Sequence, residues 1–243
     1  MTDNSDTAPT TNTASPIMIA INILTAPSEA FRALQLKPTK LFPLALVLLS
    51  AAIVQFWYFT IIDFDWYVDD ALAANANLAA EQLDAARERM LSMSQSTFRL
   101  FGMAGSVASV LLLSLVQSVY LSMVSALSGD KYRFSHWFSL ICWTNLPYLL
   151  VVVGMGVTIL LSPNGQISAF DLNPLTLANL GMNATGSPLE SLFRVVSLNM
   201  IWSLCLVVIG YKQWVQSSWI KTLAVVLAPY LLILGIWAYI ALT

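Results

Sequence analysis

Apolar positions gather into five long runs separated by polar segments, at about residues 41–62, 100–127, 137–161, 192–211 and 222–242. A helix rises about 1.5 Å per residue, so roughly 20 mostly apolar residues cross the ~30 Å hydrocarbon core of a bilayer. Each run therefore predicts a membrane span. Residues 1–16 are rich in Thr, Asn, Ser, Asp and Pro and lack Lys and Arg, which predicts a disordered tail rather than the basic start of a signal peptide. Residues 17–40 hold two short pieces, one apolar from Ile17 to Leu24 and one opened by Pro27, Ser28 and Glu29. Pro at a helix start and Glu in its first turn are ordinary N-terminal signals. Neither piece is long enough to span, so the pattern predicts a helix lying in the membrane interface, with a cap packed on the loops as the other reading.

The segments between the runs have their own patterns. Span one ends in Phe56, Trp57, Tyr58 and Phe59, which suits a membrane boundary, and Asp63, Asp65, Asp69 and Asp70 follow. From Ala71 to Gln95, Leu72, Ala76, Ala79, Leu83, Ala86, Met90 and Met93 recur at steps of four and three, the stripe of an amphipathic helix outside the hydrocarbon. Its docking surface is open between the protein itself, the lipid surface and a second subunit. Leu172 to Leu180 suggests a short surface helix, and Asn183-Ala184-Thr185 matches a glycosylation acceptor, a pattern too short to predict modification.

Polar residues inside the runs are few. Ser114, Ser118 and Ser122 share a face of span two beside Ser125, as expected of a seam where small residues let helices approach. Gln117 lies near that seam. In span three Pro147 removes the donor for the Trp143 carbonyl, next to Thr144 and Asn145; such a break must be buried in the bundle or line a wet cavity. Gly154 and Gly156 offer a further close-packing point. Asn199, Trp202 and Ser203 lie in span four, and Pro229 near the start of span five.

Composition and charge sharpen this picture. With 58% apolar and 10% charged residues and a mean hydropathy of +0.73, the chain reads as an all-α polytopic membrane protein. The expected architecture is a five-transmembrane-helix bundle with an interfacial N-terminal helix and an amphipathic extracytoplasmic helix. Arg32, Lys37, Lys40, Lys131, Arg133, Lys212 and Lys221 fall on one side of the five spans, and Arg87, Arg89, Arg99 and Arg194 on the other. Basic residues in short loops stay cytoplasmic, which predicts a cytoplasmic N-terminus and an outside C-terminus in a plasma membrane or bacterial inner membrane. No ionisable residue sits at the middle of a span, against a proton- or ion-coupled pump.

Candidate chemistry is sparse. His136, the single histidine, stands at the edge of span three without a paired base, nucleophile or metal cluster, so a boundary or hydrogen-bonding role is expected. Cys142 and Cys205 lie in apolar runs and read as packing residues. No phosphate loop, zinc-protease helix or nucleophile elbow occurs; no enzyme, cofactor or metal site is expected, and no basic aromatic patch suggests nucleic acid.

Several short motifs occur in order: Ile23-Leu24-Thr25-Ala26-Pro27-Ser28-Glu29-Ala30-Phe31, then Phe134-Ser135-His136-Trp137-Phe138-Ser139-Leu140 with Asn145-Leu146-Pro147, then Leu198-Asn199-Met200-Ile201-Trp202-Ser203-Leu204 running into Ile209-Gly210. Over residues 23 to 242 the chain resembles the Yip family of Ypt/Rab-interacting membrane proteins, and looks most like its bacterial branch. The resemblance implies five helices, a cytoplasmic N-terminus and a non-enzymatic role in organising membranes through partner proteins. The longer N-terminal region of eukaryotic members is missing, so their Rab-binding role does not carry over.

Two functional expectations follow. The first is a membrane organiser or adaptor that contacts lipids and an unidentified membrane or cytoplasmic protein through the turn carrying Asp130, Lys131, Arg133 and His136; homo-oligomerisation is left open. The second is a permease or lipid-handling protein in which Gln117, Thr144, Asn145, Asn199 and Ser203, with neighbouring Trp202, form a polar path near Pro147. The same residues would serve as interhelical hydrogen-bond glue.

Overall fold

The computed structural model describes residues 15–73, 79–182 and 186–242. Residues 1–14 of the predicted tail, Ala76 of the amphipathic stripe and the Asn183 acceptor pattern lie outside the described residues.

Helix α1 (Pro16–Thr25) is capped by Ser15, whose hydroxyl accepts the Met18 N–H at 3.2 Å, and α2 (Pro27–Leu36) starts on Pro27 with Glu29 in its first turn. Both beginnings follow the rule that an early helical N–H has no partner of its own. α1 and α2 bury Ile19, Ile23, Ala30, Phe31 and Leu34 in the bundle, while Ile17, Met18, Ile21 and Leu24 stay exposed. The pair thus caps one end of the protein and keeps an apolar outer face.

The first span is α3 (Leu41–Ile61). Beyond it, α4 (Phe64–Ala73) and α5 (Ala80–Ser92) replace the expected continuous helix over 71–95. The chain leaves helical geometry at Met93 and Ser94, and the Ser94 hydroxyl accepts the Thr97 N–H to open α6 (Gln95–Ser128). A competing N-cap therefore ends one helix and starts the next. No residue of α5 is buried; Arg87 on α5 forms an ion pair with Asp69 on α4 at 2.6 Å.

α6 stops in a glycine-terminated motif. Gly129 has φ 73°, the Gly129 N–H reaches the Ala126 carbonyl and the Asp130 N–H that of Ser125 at 3.0 Å, the pairing that satisfies terminal carbonyls when a residue turns left-handed. Span three is two helices, α7 (Phe134–Thr144) and α8 (Tyr148–Leu161). The Trp143 carbonyl, expected to lack a donor because of Pro147, instead accepts the Leu146 N–H at 3.2 Å. Tightening to three-residue bonds repairs the break, and Trp143, Thr144, Leu146 and Pro147 are buried as the membrane environment requires.

The segment 172–180 does not form the expected surface helix. Asn173 Oδ1 accepts the Leu175 N–H at 3.0 Å, Thr176 Oγ1 accepts the Asn179 N–H, and Asn179 Nδ2 donates to the Phe170 and Asn173 carbonyls. Such local side-chain bonds offer the backbone an alternative to a helix. Thr176 instead forms an isolated antiparallel bridge with Ser197, and Pro174 packs where a Cβ on Gly154 would come within 2.8 Å. This bridge also moves the fourth span. A short α9 (Glu190–Val195) precedes it, Ser197 is extended, and α10 runs Leu198–Val215 rather than 192–211.

The last span is α11 (Trp219–Leu242), with Pro229 inside it. Among the described residues, five helices are long and apolar enough to cross a membrane: Leu41–Ile61, Gln95–Ser128, the broken Phe134–Leu161, Leu198–Val215 and Trp219–Leu242. α3, α6 and α7 pack as neighbours, and α10 joins α7 with α2. Ser114, Ser118 and Ser125 are buried and Ser122 half-buried, so the serine seam is a packing surface as expected. α11 packs chiefly along α10, and only Thr222 and Val226 of it are buried. One end of the bundle, the basic end, carries α1, α2, the 129–133 turn and the α10–α11 turn; the other carries the loops 63–94 and 162–197.

Candidate functional site

Two places collect the residues singled out in the sequence. The first is the basic end. Tyr132, buried between the turn and α10, stacks on Trp214 with ring centroids 5.4 Å apart, donates to the Trp214 carbonyl at 2.8 Å and accepts from the Gln35 amide. Trp214 Nε1 donates to the Phe31 carbonyl at 2.8 Å, and Gln213 to that of Ser28 at 2.8 Å. The Thr39 carbonyl accepts from Ser139 and from Trp143 Nε1, and Lys40 donates to Ser135 at 3.1 Å. These bonds tie α2 and the following linker to α7 and α10, and those of Tyr132, Trp143 and Trp214 satisfy groups that burial would otherwise orphan.

Lys131 and Arg133 stand exposed on this platform, with the Lys131 ammonium 5.7 Å from the Tyr132 ring centroid. Asp130 is half-buried, and one of its carboxylate oxygens is enclosed without a hydrogen-bond partner, so it faces the protein more than its two basic neighbours do. His136 is half-buried against Tyr132 and Trp214, and its Nδ1 accepts the Arg133 N–H at 3.4 Å. Cys142 is buried, whereas Cys205 is exposed on the outer face of the bundle. Among the described residues, no three His, Cys, Asp or Glu side chains gather as a metal-binding group.

The second place is a cavity of about 370 Å³ bounded by α6, Asn145 at the α7–α8 turn, α10 and α11. Gln117, Asn145, Asn199 and Ser203 all line it. Asn145 Nδ2 donates to Ser114 Oγ at 3.0 Å, and Asn199 Oδ1 accepts from Ser197 at 2.7 Å. Asn145 is therefore interhelical glue and lining at once, whereas the Asn199 bond is local to the start of α10. The other members of the expected path lie elsewhere: Thr144 is buried and donates to the Ile141 carbonyl of its own helix at 3.1 Å, Trp202 is exposed, and Pro147 shapes the turn without lining the cavity.

An adjoining apolar chamber of about 240 Å³ runs toward the basic end past Tyr120, Leu121 and Val226. Leu113, Gln117, Val207, Tyr230 and Ile233 line both chambers. Sequence reasoning missed Ser114 as the partner of Asn145, and missed Tyr230 and Trp237 as lining. The latter two recur with Ile233 on one face of α11 at helical spacing, but that stripe is indistinguishable from a packing face until its neighbours are known.

No curated protein and no solved structure matches the chain. The Yip1 domain family model matches residues 21–240, from within α1 to the last turns of α11. Together with five apolar spanning helices, that match identifies an integral membrane protein of the Yip type, and the chain belongs to the Yip1 domain family.

Proposed function

We propose that this protein is a non-enzymatic membrane organiser or adaptor whose basic end faces the cytoplasm of a plasma or bacterial inner membrane and binds a partner through Lys131 and Arg133. The observation that carries this reading is the hydrogen-bonded platform: Gln35, Tyr132, Trp214 and Phe31 fix the turn against α2 and α10 while leaving the two cations exposed. A rigid, charged surface suits recognition, because little ordering cost is left for binding. The seven bases on this side of the spans also support the cytoplasmic orientation.

The test is in-cell crosslinking from a photoreactive residue at Ser128, with and without Lys131→Glu and Arg133→Glu, beside a reporter of orientation. A discrete adduct should vanish in the double variant while the orientation is kept. Adducts of unchanged yield would remove the turn as the binding surface.

The cavity favours a second reading, a lipid-handling or permease role, because four polar side chains from three spans converge on one space. In liposomes, Asn145→Leu with Asn199→Leu should abolish lipid scrambling or solute flux while insertion is retained. Wild-type liposomes no more active than empty ones would retire this second reading.

A further inference from the structure

We propose that the paired chambers between α6, α7, α10 and α11 hold one uncharged amphiphile, its hydrogen-bonding head against Gln117, Asn145, Asn199 and Ser203 and its apolar tail beside Tyr120 and Val226. The proposal takes its site from the lipid-handling reading and adds the class of ligand.

The first argument is hydrogen bonding. Asn145 uses its amide donor on Ser114 and Asn199 its carbonyl on Ser197, so one keeps an acceptor and the other a donor. The Gln117 amide and the Ser203 hydroxyl have no hydrogen-bond partner among the described residues. Polar groups left unpaired in apolar surroundings are costly. A head with both donors and acceptors, such as a hydroxyl beside an ester, matches this set.

Charge and depth supply the second. Among the described residues, no Asp, Glu, Lys, Arg or His lines either chamber, so a phosphate or carboxylate would enter without a counter-ion. Gln117, Asn145 and Ser203 each lie about 17 Å along their helices from Ser128, Phe134 and Val215, at about 1.5 Å per residue. That places Gln117 and Asn145 well inside the hydrocarbon, where an uncharged head is tolerated and a charged one is not, while Asn199, the second residue of α10, extends the polar patch toward the outer end of span four.

The third is shape and access. The larger chamber carries most of the polar groups, and the smaller is lined almost wholly by apolar side chains, with Gln117 and Tyr230 in the wall of both. This division follows the two ends of an amphiphile. Ile233, which lines both, is 61% exposed, so the space opens sideways between α6 and α11, toward the acyl chains.

The full-length protein would be reconstituted into phosphatidylcholine vesicles carrying a diazirine-bearing diacylglycerol or a phosphatidylglycerol with the same diazirine chain. Labelled peptides are mapped after irradiation, and scrambling is measured in parallel. The diacylglycerol should label α6 near Gln117 and α11 near Ile233 saturably and in preference to phosphatidylglycerol. Gln117→Met with Asn199→Leu should lower that labelling about five- to ten-fold, the loss of two membrane hydrogen bonds. Ser203→Ala, a smaller change, should lower it about two-fold or more, and Leu112→Ala outside the cavity should leave it unchanged. Equal or stronger labelling by phosphatidylglycerol overturns the uncharged class while leaving lipid handling intact. Labelling that the head-group variants do not reduce overturns the head assignment, and no saturable labelling by either probe overturns the site. Saturable diacylglycerol labelling without scrambling supports the ligand and overturns only the handling reading.

Discussion

The hydroxyl of Tyr120 on α6 donates to the Val225 carbonyl on α11 at 2.7 Å, and that carbonyl is the one that Pro229, four residues on, leaves without a helical donor. A backbone acceptor freed inside a membrane needs a partner from elsewhere. The tyrosine repairs the proline and, in doing so, fastens α11 across the mouth of the apolar chamber.

Tyr120→Phe should therefore loosen α11, at a cost of about 0.6 to 2 kcal/mol, and Pro229→Ala should remove most of that cost because Ala supplies the missing N–H. Thermal unfolding in detergent of the two single variants and the double variant checks this. Additive effects of the two substitutions would show that the hydroxyl and the proline are independent.

Gly165 is predicted to be intolerant of substitution. Its φ is 69°, a Cβ there would collide with the Ile61 carbonyl, and its own carbonyl accepts the Asp63 N–H at 3.0 Å. Gly165→Ala should cost about 1–3 kcal/mol from backbone strain, more than Gly181→Ala, where φ is also positive but nothing stands within 4 Å of the added Cβ. Paired melting temperatures decide it.

Trp214→Phe keeps the ring that stacks on Tyr132 but removes the donor to the buried Phe31 carbonyl. Because the Phe31 carbonyl keeps its helical donor within α2, losing the indole bond should destabilise the docking of α2 by about 0.5–1.5 kcal/mol. Limited proteolysis should then cut within residues 26–40 faster than in the wild type, with the spans unaffected.

The contact between α4 and α5 should depend on pH. Hydrogen bonding to Arg87, and then its positive charge, holds the Asp69 carboxyl below its ordinary value. A carboxylate depressed in the folded state contributes stability above its unfolded value, and that contribution is lost as pH falls through the depressed value. Spin-label distances between α4 and α5 should stay constant from neutral pH down to the ordinary carboxylate range and lengthen below it. Asp69→Asn should lengthen them at neutral pH, partly offset by Asp65 on α4, which also acts on Arg87.

Much of the fold was legible in the sequence because membrane solvation constrains it heavily. Spans of apolar residues, the serine seam and the clustering of bases at one end all follow from local chemistry and helical periodicity. The expected helix at 172–180 failed because Asn173, Thr176 and Asn179 bond their own backbone, a local competition that the apolar spacing of Leu172, Leu175 and Leu180 concealed. The 71–95 stripe divides ahead of α5, where Ala79 is extended, and α5 stops at Ser92 because the Ser94 hydroxyl caps α6 instead.

The sequence by itself determined which segments are helical enough and apolar enough to span, where Pro147 and Pro229 interrupt them, and which polar residues lie inside. Only the tertiary structure decided which of those residues meet. Gln117, Asn145, Asn199 and Ser203 share a cavity and Thr144 and Trp202 do not, because rotation of each helix about its axis is set by packing against its neighbours. A single helical pattern leaves that rotation, and the partner it faces, unspecified.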